Sequence, residues 1–222
     1  MDSLGLIQKI SIFILPVLFA ITVHEAAHAY AARYFGDNTA YHEGRMTLNP
    51  LKHIDPVGTV LLPLLCVALG GFIFGWAKPV PVNFGRLRQP KKDMLWVAAA
   101  GPLSNLAMAA GWMVLLRVAL GTDTGFSTPL MLMSQAGVTI NVMLMVLNLL
   151  PLPPLDGGRI AVSLLPPQQA WQFSRLEPYG MWILIGLMAT GLLSVIMRPL
   201  MDIVFRLLNA LKIGRASCRE RV

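Results

Sequence analysis

The chain has 222 residues, of which 55% are hydrophobic and only 13% are charged, and its formal net charge is +7. Because soluble domains carry about 25% charged residues, this composition excludes an ordinary soluble domain and indicates a polytopic membrane protein. In such a protein the basic excess is a signal of membrane topology and does not indicate binding to nucleic acid.

The first apolar run predicts a membrane-spanning helix over residues 4–35 that ends at a Gly-Asp-Asn turn. This helix contains the sequence HEAAH, which places His24, Glu25 and His28 inside an apolar segment. An acidic side chain at the centre of a bilayer costs about 2.5–3.5 kcal/mol, and ionisable groups at that depth are therefore candidates for function.

The spacing within HEAAH is suited to binding a metal ion. On a helix, His24 and His28 lie on one face, where two imidazole nitrogens can bind the same ion. Glu25 lies about 100° around the helix axis, from where its carboxylate can reach a metal-bound water without being a ligand. This is the arrangement of the H-E-x-x-H zinc peptidases, in which the glutamate is the general base.

The second apolar run, residues 57–77, is broken by Pro63 and by Gly70-Gly71. We predict that it is a re-entrant hairpin that turns at the two glycines and does not span. The basic loop that follows, residues 78–93, is then cytoplasmic by the positive-inside rule, together with the rest of residues 33–93. Residues 77–83, AKPVPVN, are a candidate edge strand for an extended substrate, although their prolines remove hydrogen-bond donors.

The rest of the chain predicts further helices. Together with the first helix, they predict an all-α polytopic membrane protein with about four spanning helices, a re-entrant apolar hairpin and an interfacial C-terminal helix. The later elements are spans over 94–120, 129–150 and 179–197, a short helix over 156–165, and an amphipathic helix over 199–212.

The chain is predicted to hold a single integral-membrane domain, residues 1–212. The last ten residues, IGRASCRERV at 213–222, differ abruptly in composition from what precedes them and resemble a translated sequencing adapter. We therefore predict that this tail is non-native and exclude it from the fold. The alternative is a genuine basic tail that faces anionic lipid.

Asp156 is the candidate for a third metal ligand, which a catalytic zinc site normally needs beside an open position. It follows the 129–150 segment in NLLPLPPLDGG, where three prolines prevent a regular helix. Irregular backbone at membrane depth persists only where it packs in protein or lines a wet cavity. The formal charges of a divalent cation, Asp156 and Glu25 cancel, which makes the cluster tolerable in a low dielectric. The alternative is that Asp156 caps the following helix.

Three motifs in this order, HEAAH, AGPLSN and NLLPLPPLDGG, resemble those of the site-2 protease family of intramembrane zinc metalloproteases. The resemblance implies that His24, His28 and Asp156 bind one Zn²⁺ per chain, that Glu25 is catalytic, and that Asn148 holds substrate or a developing oxyanion. Asn105, in AGPLSN, is a second candidate for substrate binding. For both asparagines the alternative is hydrogen bonding between helices. No PDZ-like or CBS-like insert is recognisable, which implies a compact member.

We therefore expect an endopeptidase that cuts within or near transmembrane segments of other membrane proteins, as in regulated intramembrane proteolysis. The expected location is the bacterial plasma membrane, with the active site towards the cytoplasm. Two alternatives remain open, a membrane zinc transporter and a non-catalytic adaptor that binds transmembrane helices. Two histidines and one carboxylate also suit iron. The substrate, the trigger for cleavage and the oligomeric state do not follow from the sequence.

Overall fold

The structure, a computed structural model, describes residues 5–61, 75–122 and 124–213. Within these ranges every regular element is helical, which confirms the predicted all-α class. Three short turns of 3-10 or π-helix connect the α-helices: Pro50–Lys52, Pro56–Leu61 and Phe84–Arg86. The α-helices are α1 (Leu6–Tyr34), α2 (Thr39–His42), α3 (Pro90–Gly121), α4 (Ser127–Leu149), α5 (Asp156–Leu164), α6 (Pro167–Ser174), α7 (Glu177–Ala189) and α8 (Leu192–Ile213).

Three of the described helices are long and apolar enough to cross a membrane, namely Ile7–Tyr34, Pro90–Gly121 and Ser127–Leu149. Their mean hydropathies are 2.0, 1.6 and 1.8 in that order. At 1.5 Å per residue, even the shortest is about 35 Å long and exceeds the ~30 Å hydrocarbon core. These helices confirm the prediction of a polytopic membrane protein.

The predicted span over 179–197 is divided in the structure. Glu177–Ala189 and Leu192–Ala210 meet at a bend of 87°, so they form either one broken span or a re-entrant loop. Gly191, at the bend, has φ +72°, a conformation that glycine adopts without steric cost. The C-terminal helix α8 therefore starts before its predicted position at 199, and it buries Met197 and Leu208 against the α3–α4 pair.

The core of the described chain lies where α1, α3 and α4 pack together. Small residues allow the close approach, since Ala20 and Ala109 are fully buried and Gly137 faces the Trp112 ring. A Cβ on Gly137 would lie 2.3 Å from that ring. This packing brings the HEAAH part of α1 against α3 and against the end of α4.

The predicted turn at Gly70-Gly71 lies outside the described residues. The two described ends of the 57–77 segment are in contact, because the Trp76 N–H donates to the Gly58 carbonyl at 3.0 Å. The Thr59 hydroxyl donates to the Trp76 carbonyl at 2.8 Å. The chain therefore returns close to the point from which it departs, which supports the re-entrant prediction.

Asp37 anchors the loop after α1. Its buried carboxylate accepts hydrogen bonds from the Thr39 N–H at 3.0 Å and from the Asn83 N–H at 2.7 Å. Burial raises the pKa of this carboxyl, but the hydrogen bonds from Thr39 and Asn83 lower it more, so it lies below the ordinary value of 3.8. Asp37 thus joins the end of α1 to the segment that precedes α3.

Asp37→Asn is expected to destabilise the fold by about 1–3 kcal/mol, the usual contribution of hydrogen bonds to a charged group. A carboxyl whose pKa is depressed by folding stabilises the protein at neutral pH and loses that effect below about pH 4. Thermal unfolding in detergent should therefore show a lower unfolding temperature for the variant than for the native protein at pH 7. This difference in unfolding temperature should narrow as the pH falls below about 4. The exposed Asp202 supplies the control, and Asp202→Asn should change little. A stability difference between native protein and variant that does not narrow as the pH falls below about 4 would contradict this account.

Candidate metal centre

The three predicted metal ligands converge. His24 and His28 lie one turn apart on α1, both are buried, and their Nε2 atoms are 3.1 Å apart. Oδ2 of Asp156 lies 3.2 Å from Nε2 of His24 and 3.3 Å from Nε2 of His28. A histidine pair and a carboxylate that are 128 residues apart in sequence therefore present three ligand atoms to one point.

Asp156 reaches this point because α5 begins close to the irregular chain that leaves α4. The cap position of α5 is Leu155 and no side chain caps the helix, so the alternative role of Asp156 as a cap is not observed. A Cβ on Gly157 would lie 2.3 Å from the Leu150 carbonyl, and one on Gly158 would lie 2.6 Å from the Pro153 nitrogen. The two glycines are thus required for close approach of backbone to backbone.

The hydrogen bonds behind the two imidazoles determine their tautomers. Nδ1 of His24 lies 2.5 Å from Oδ1 of Asn105, and Nδ1 of His28 lies 2.7 Å from the Val97 carbonyl. Both oxygens only accept, so each Nδ1 carries the proton and donates it. In the neutral imidazoles each Nε2 then presents a lone pair towards Asp156, and three electron-pair donors face one another. Such an arrangement is repulsive unless a proton or a metal ion lies between them.

The residues fit zinc. Zinc bonds of about 2.0–2.1 Å in tetrahedral geometry place ligand atoms about 3.3 Å apart, close to the separations observed. Oδ2 of Asp156 is buried and has no hydrogen-bond partner among the described residues. A Cβ on Gly101 would lie 2.4 Å from Nε2 of His28 and 2.6 Å from Nε2 of His24. The missing side chain of Gly101 thus leaves room beside the Nε2 atoms of both histidines.

A cavity of about 680 Å³ opens onto this cluster. Glu25 and Asn148 both line it. Oε2 of Glu25 accepts a hydrogen bond from the Val80 N–H at 2.7 Å, and Nδ2 of Asn148 donates to the Leu144 carbonyl at 3.0 Å. Asn105 is fully buried behind His24 and is not among the cavity-lining residues.

The proline-containing segment 77–83 packs beside the cluster and is held in place by its own backbone groups. The N–H groups of Lys78, Val80 and Asn83 donate to the His53 carbonyl, to Glu25 and to Asp37 respectively. The Arg45 guanidinium donates to the carbonyls of Lys78 and Pro79, at 2.9 and 3.2 Å. Three of the five backbone N–H groups that this segment could offer to a substrate as an edge strand are therefore already engaged.

Comparison with known proteins identifies the family. Residues 122–188 match the family model of peptidase family M50. A protein of Bacillus subtilis named "Putative zinc metalloprotease YwhC" is 38% identical over 206 residues, which are 89% of this chain and 91% of that protein. The chain belongs to peptidase family M50, the site-2 proteases. The predicted resemblance is thereby confirmed.

Further M50 relatives come from mycobacteria and share the name "Putative zinc metalloprotease Rip2". The relative from Mycolicibacterium smegmatis is 33% identical over 201 residues, which are 87% of this chain and 73% of that protein. The relative from Mycobacterium tuberculosis is 36% identical over 144 residues, or 63% of this chain and 52% of that protein. No solved structure gives a significant match.

Membership of M50 confirms the prediction of a zinc metalloprotease with membrane helices. The region matched by the M50 model, 122–188, contains Asn148 and Asp156 but not HEAAH. The placement of His24 and His28 beside Asp156 is therefore an observation independent of that match.

Two residues close to His24, His28 and Asp156 were not predicted from the sequence as site residues. Gly101 provides the space described above, and Asn141 of α4 hydrogen-bonds Asn105 at 3.0 Å. The available signals were a glycine before proline inside an apolar helix and a buried amide in a spanning segment. Both signals are common in membrane helices, and only contacts between helices distinguish these two residues from others of their kind.

Proposed function

We propose that this M50 protease is an intramembrane endopeptidase that cleaves peptide bonds within or near transmembrane segments of other membrane proteins. The observation that supports this most directly is a metal-binding cluster, His24, His28 and Asp156, built on and beside helices long enough to span a bilayer. A soluble peptidase would not need to hold its metal ligands in an apolar helix.

In this proposal His24, His28 and Asp156 hold the zinc ion. Zinc, when bound, polarises the scissile carbonyl and lowers the pKa of a water towards ~7. The carboxylate of Glu25 accepts a proton from the attacking water and returns it to the nitrogen of the leaving amine. The hydrogen bond from the Val80 N–H to Oε2 orients that carboxylate for both transfers. The Asn148 amide, which lines the same cavity, donates to the substrate carbonyl as negative charge develops on its oxygen.

The substrate helix must unwind locally before it is cut, because a helix engages its carbonyls in internal hydrogen bonds. The cavity of about 680 Å³ is lined mainly by apolar side chains such as Val17, Leu144 and Leu184. These linings suit the apolar residues of a transmembrane segment. Regulated intramembrane proteolysis is the cellular role that this specificity supports.

We also propose that the site opens towards the cytoplasm of a bacterial cell. The described loops on the ligand side carry Lys52, Lys78, Arg86 and Arg88, an excess of cations that favours the cytoplasmic face. Residues 1–212 are proposed to form one domain. Of the tail that we interpret as non-native, residues 213–222, only residue 213 is among the described residues, as the last residue of α8.

The test is cleavage of a model membrane protein with one transmembrane segment, co-reconstituted with the enzyme in liposomes. Native enzyme should cut it, mass spectrometry should place the cut within or beside the segment, and Asp156→Ala should lose both zinc and cleavage. Cuts confined to soluble loops of the model protein would contradict the proposal. Zinc that remains bound to Asp156→Ala would contradict the ligand assignment.

A further inference from the structure

Two fully buried amides lie in line behind the metal cluster. Asn105 of α3 and Asn141 of α4 are both 0% exposed. Oδ1 of Asn105 lies 2.5 Å from Nδ1 of His24, and its Nδ2 donates to Oδ1 of Asn141 at 3.0 Å. Asn105 Nδ2 also lies 3.3 Å from the Ala20 carbonyl, and Asn141 Nδ2 donates to the Gly137 carbonyl at 2.8 Å. A chain of hydrogen bonds thus runs from the backbone of α4 to a metal ligand on α1.

The direction of this chain is determined at both amides. The Gly137 carbonyl only accepts, so Asn141 must turn its NH₂ group to it and its oxygen to Asn105. The Ala20 carbonyl and the Asn141 oxygen are likewise acceptors, so Asn105 must turn its NH₂ group to them and its oxygen to His24. His24 is left with one option, which is to donate from Nδ1 and present the Nε2 lone pair to the metal.

We propose that Asn105, supported by Asn141, is a positioning residue that fixes the tautomer and ring orientation of His24 for zinc. The inference rests on the metal site of the proposed function and deepens it. His28 obtains the same effect from the Val97 carbonyl of α3, so each imidazole has its own acceptor. Such outer hydrogen bonds typically change metal affinity 10–100-fold. The role differs from substrate binding, because no part of Asn105 is exposed.

A neutral amide suits this position better than the carboxylate often found behind a metal-bound histidine. The charges of Zn²⁺, Asp156 and Glu25 already cancel, and a further buried negative charge would be left uncompensated. The amide supplies the acceptor that His24 needs without that charge. Asn141 in turn prevents the amide from rotating.

The test compares two variants that keep the branched shape of asparagine, Asn105→Leu and Asn105→Asp, by competition for zinc against a chromogenic chelator in detergent. Asn105→Leu removes the acceptor and should weaken zinc binding 10–100-fold. Asn105→Asp keeps an acceptor beside His24 and should bind zinc more tightly than the leucine variant. In zinc-free protein the order of thermal stability should be reversed, because buried leucine is tolerated better than buried aspartate. Zinc affinities that follow the stability order, or that equal the native value in Asn105→Leu, would overturn the proposal.

Asn141→Leu tests the support behind Asn105. It should weaken zinc binding by about 3–10-fold, less than Asn105→Leu does, because the Ala20 carbonyl still accepts a hydrogen bond from the Asn105 amide. The matched control is Ser134→Ala, which removes another fully buried polar group of α4 whose hydroxyl has no partner among the described residues. This control should bind zinc as the native protein does, and an equal loss in both variants would indicate packing alone. Since no substrate enters the assay, failure of the endopeptidase proposal would not produce any of these results.

Discussion

Glu25→Gln is expected to abolish proteolysis while one zinc ion stays bound to each chain. Glutamine has nearly the same shape and still accepts the Val80 hydrogen bond, but it cannot take a proton from water at neutral pH. Loss of a general base typically slows a reaction by about 10²–10⁴-fold, which is enough to remove detectable cleavage. The measurement is the cleavage rate of the reconstituted membrane substrate, with zinc content from elemental analysis of the same sample.

The control for this variant is Glu43→Gln, which neutralises an exposed glutamate in the loop after α2. It should cleave at the native rate. Undiminished proteolysis by Glu25→Gln would exclude Glu25 as the base. Zinc flux across the vesicle that survives in the variant would favour a transporter. A native protein that binds the substrate helix but never cuts it would favour an adaptor.

Gly101→Ala is expected to lose zinc, and with it all activity, although the change adds a single methyl group. The added Cβ would lie within 2.6 Å of the Nε2 atoms of both His24 and His28, the two atoms that we propose bind the ion. Neither imidazole can easily move away from the added methyl group, because the Nδ1 atom of each ring donates a hydrogen bond to an acceptor of α3. Elemental analysis should show less than about one tenth of the native zinc content. This loss is at least as large as the one expected when a hydrogen bond behind a metal ligand is removed.

The same helix offers a matched control at Gly111, where an added Cβ meets nothing within 4 Å among the described residues. Gly111→Ala should keep its zinc and gain about 0.5–1 kcal/mol of stability, the usual effect of alanine in a helix interior. The two variants therefore carry the same chemical change with opposite expected results. Normal zinc content in Gly101→Ala would show that α3 does not border the ion.

Local pattern in the sequence was sufficient to predict the spanning helices and the three side chains that the structure groups together. Long apolar runs can only be helices in lipid, and α1, α3 and α4 appear within a few residues of their predicted ends, apart from the earlier start of α3 at Pro90. The i, i+4 spacing places His24 and His28 on one face in any regular helix. Asp156 was recognisable because an acidic residue in apolar, irregular surroundings needs a compensating charge. The bend at Gly191 was not predicted, because glycine in an apolar run is as compatible with a straight span as with a break.

By itself, then, the sequence predicted which side chains come together and determined that they lie in a membrane protein, since these features depend mainly on residue type and local pattern. Only the tertiary structure decided how the site is held together. The space at Gly101, the chain of amides from Gly137 to His24 and the contact of Val80 with Glu25 each join segments 36 or more residues apart. No local pattern encodes such contacts, because they depend on how closely and at what rotation the helices pack.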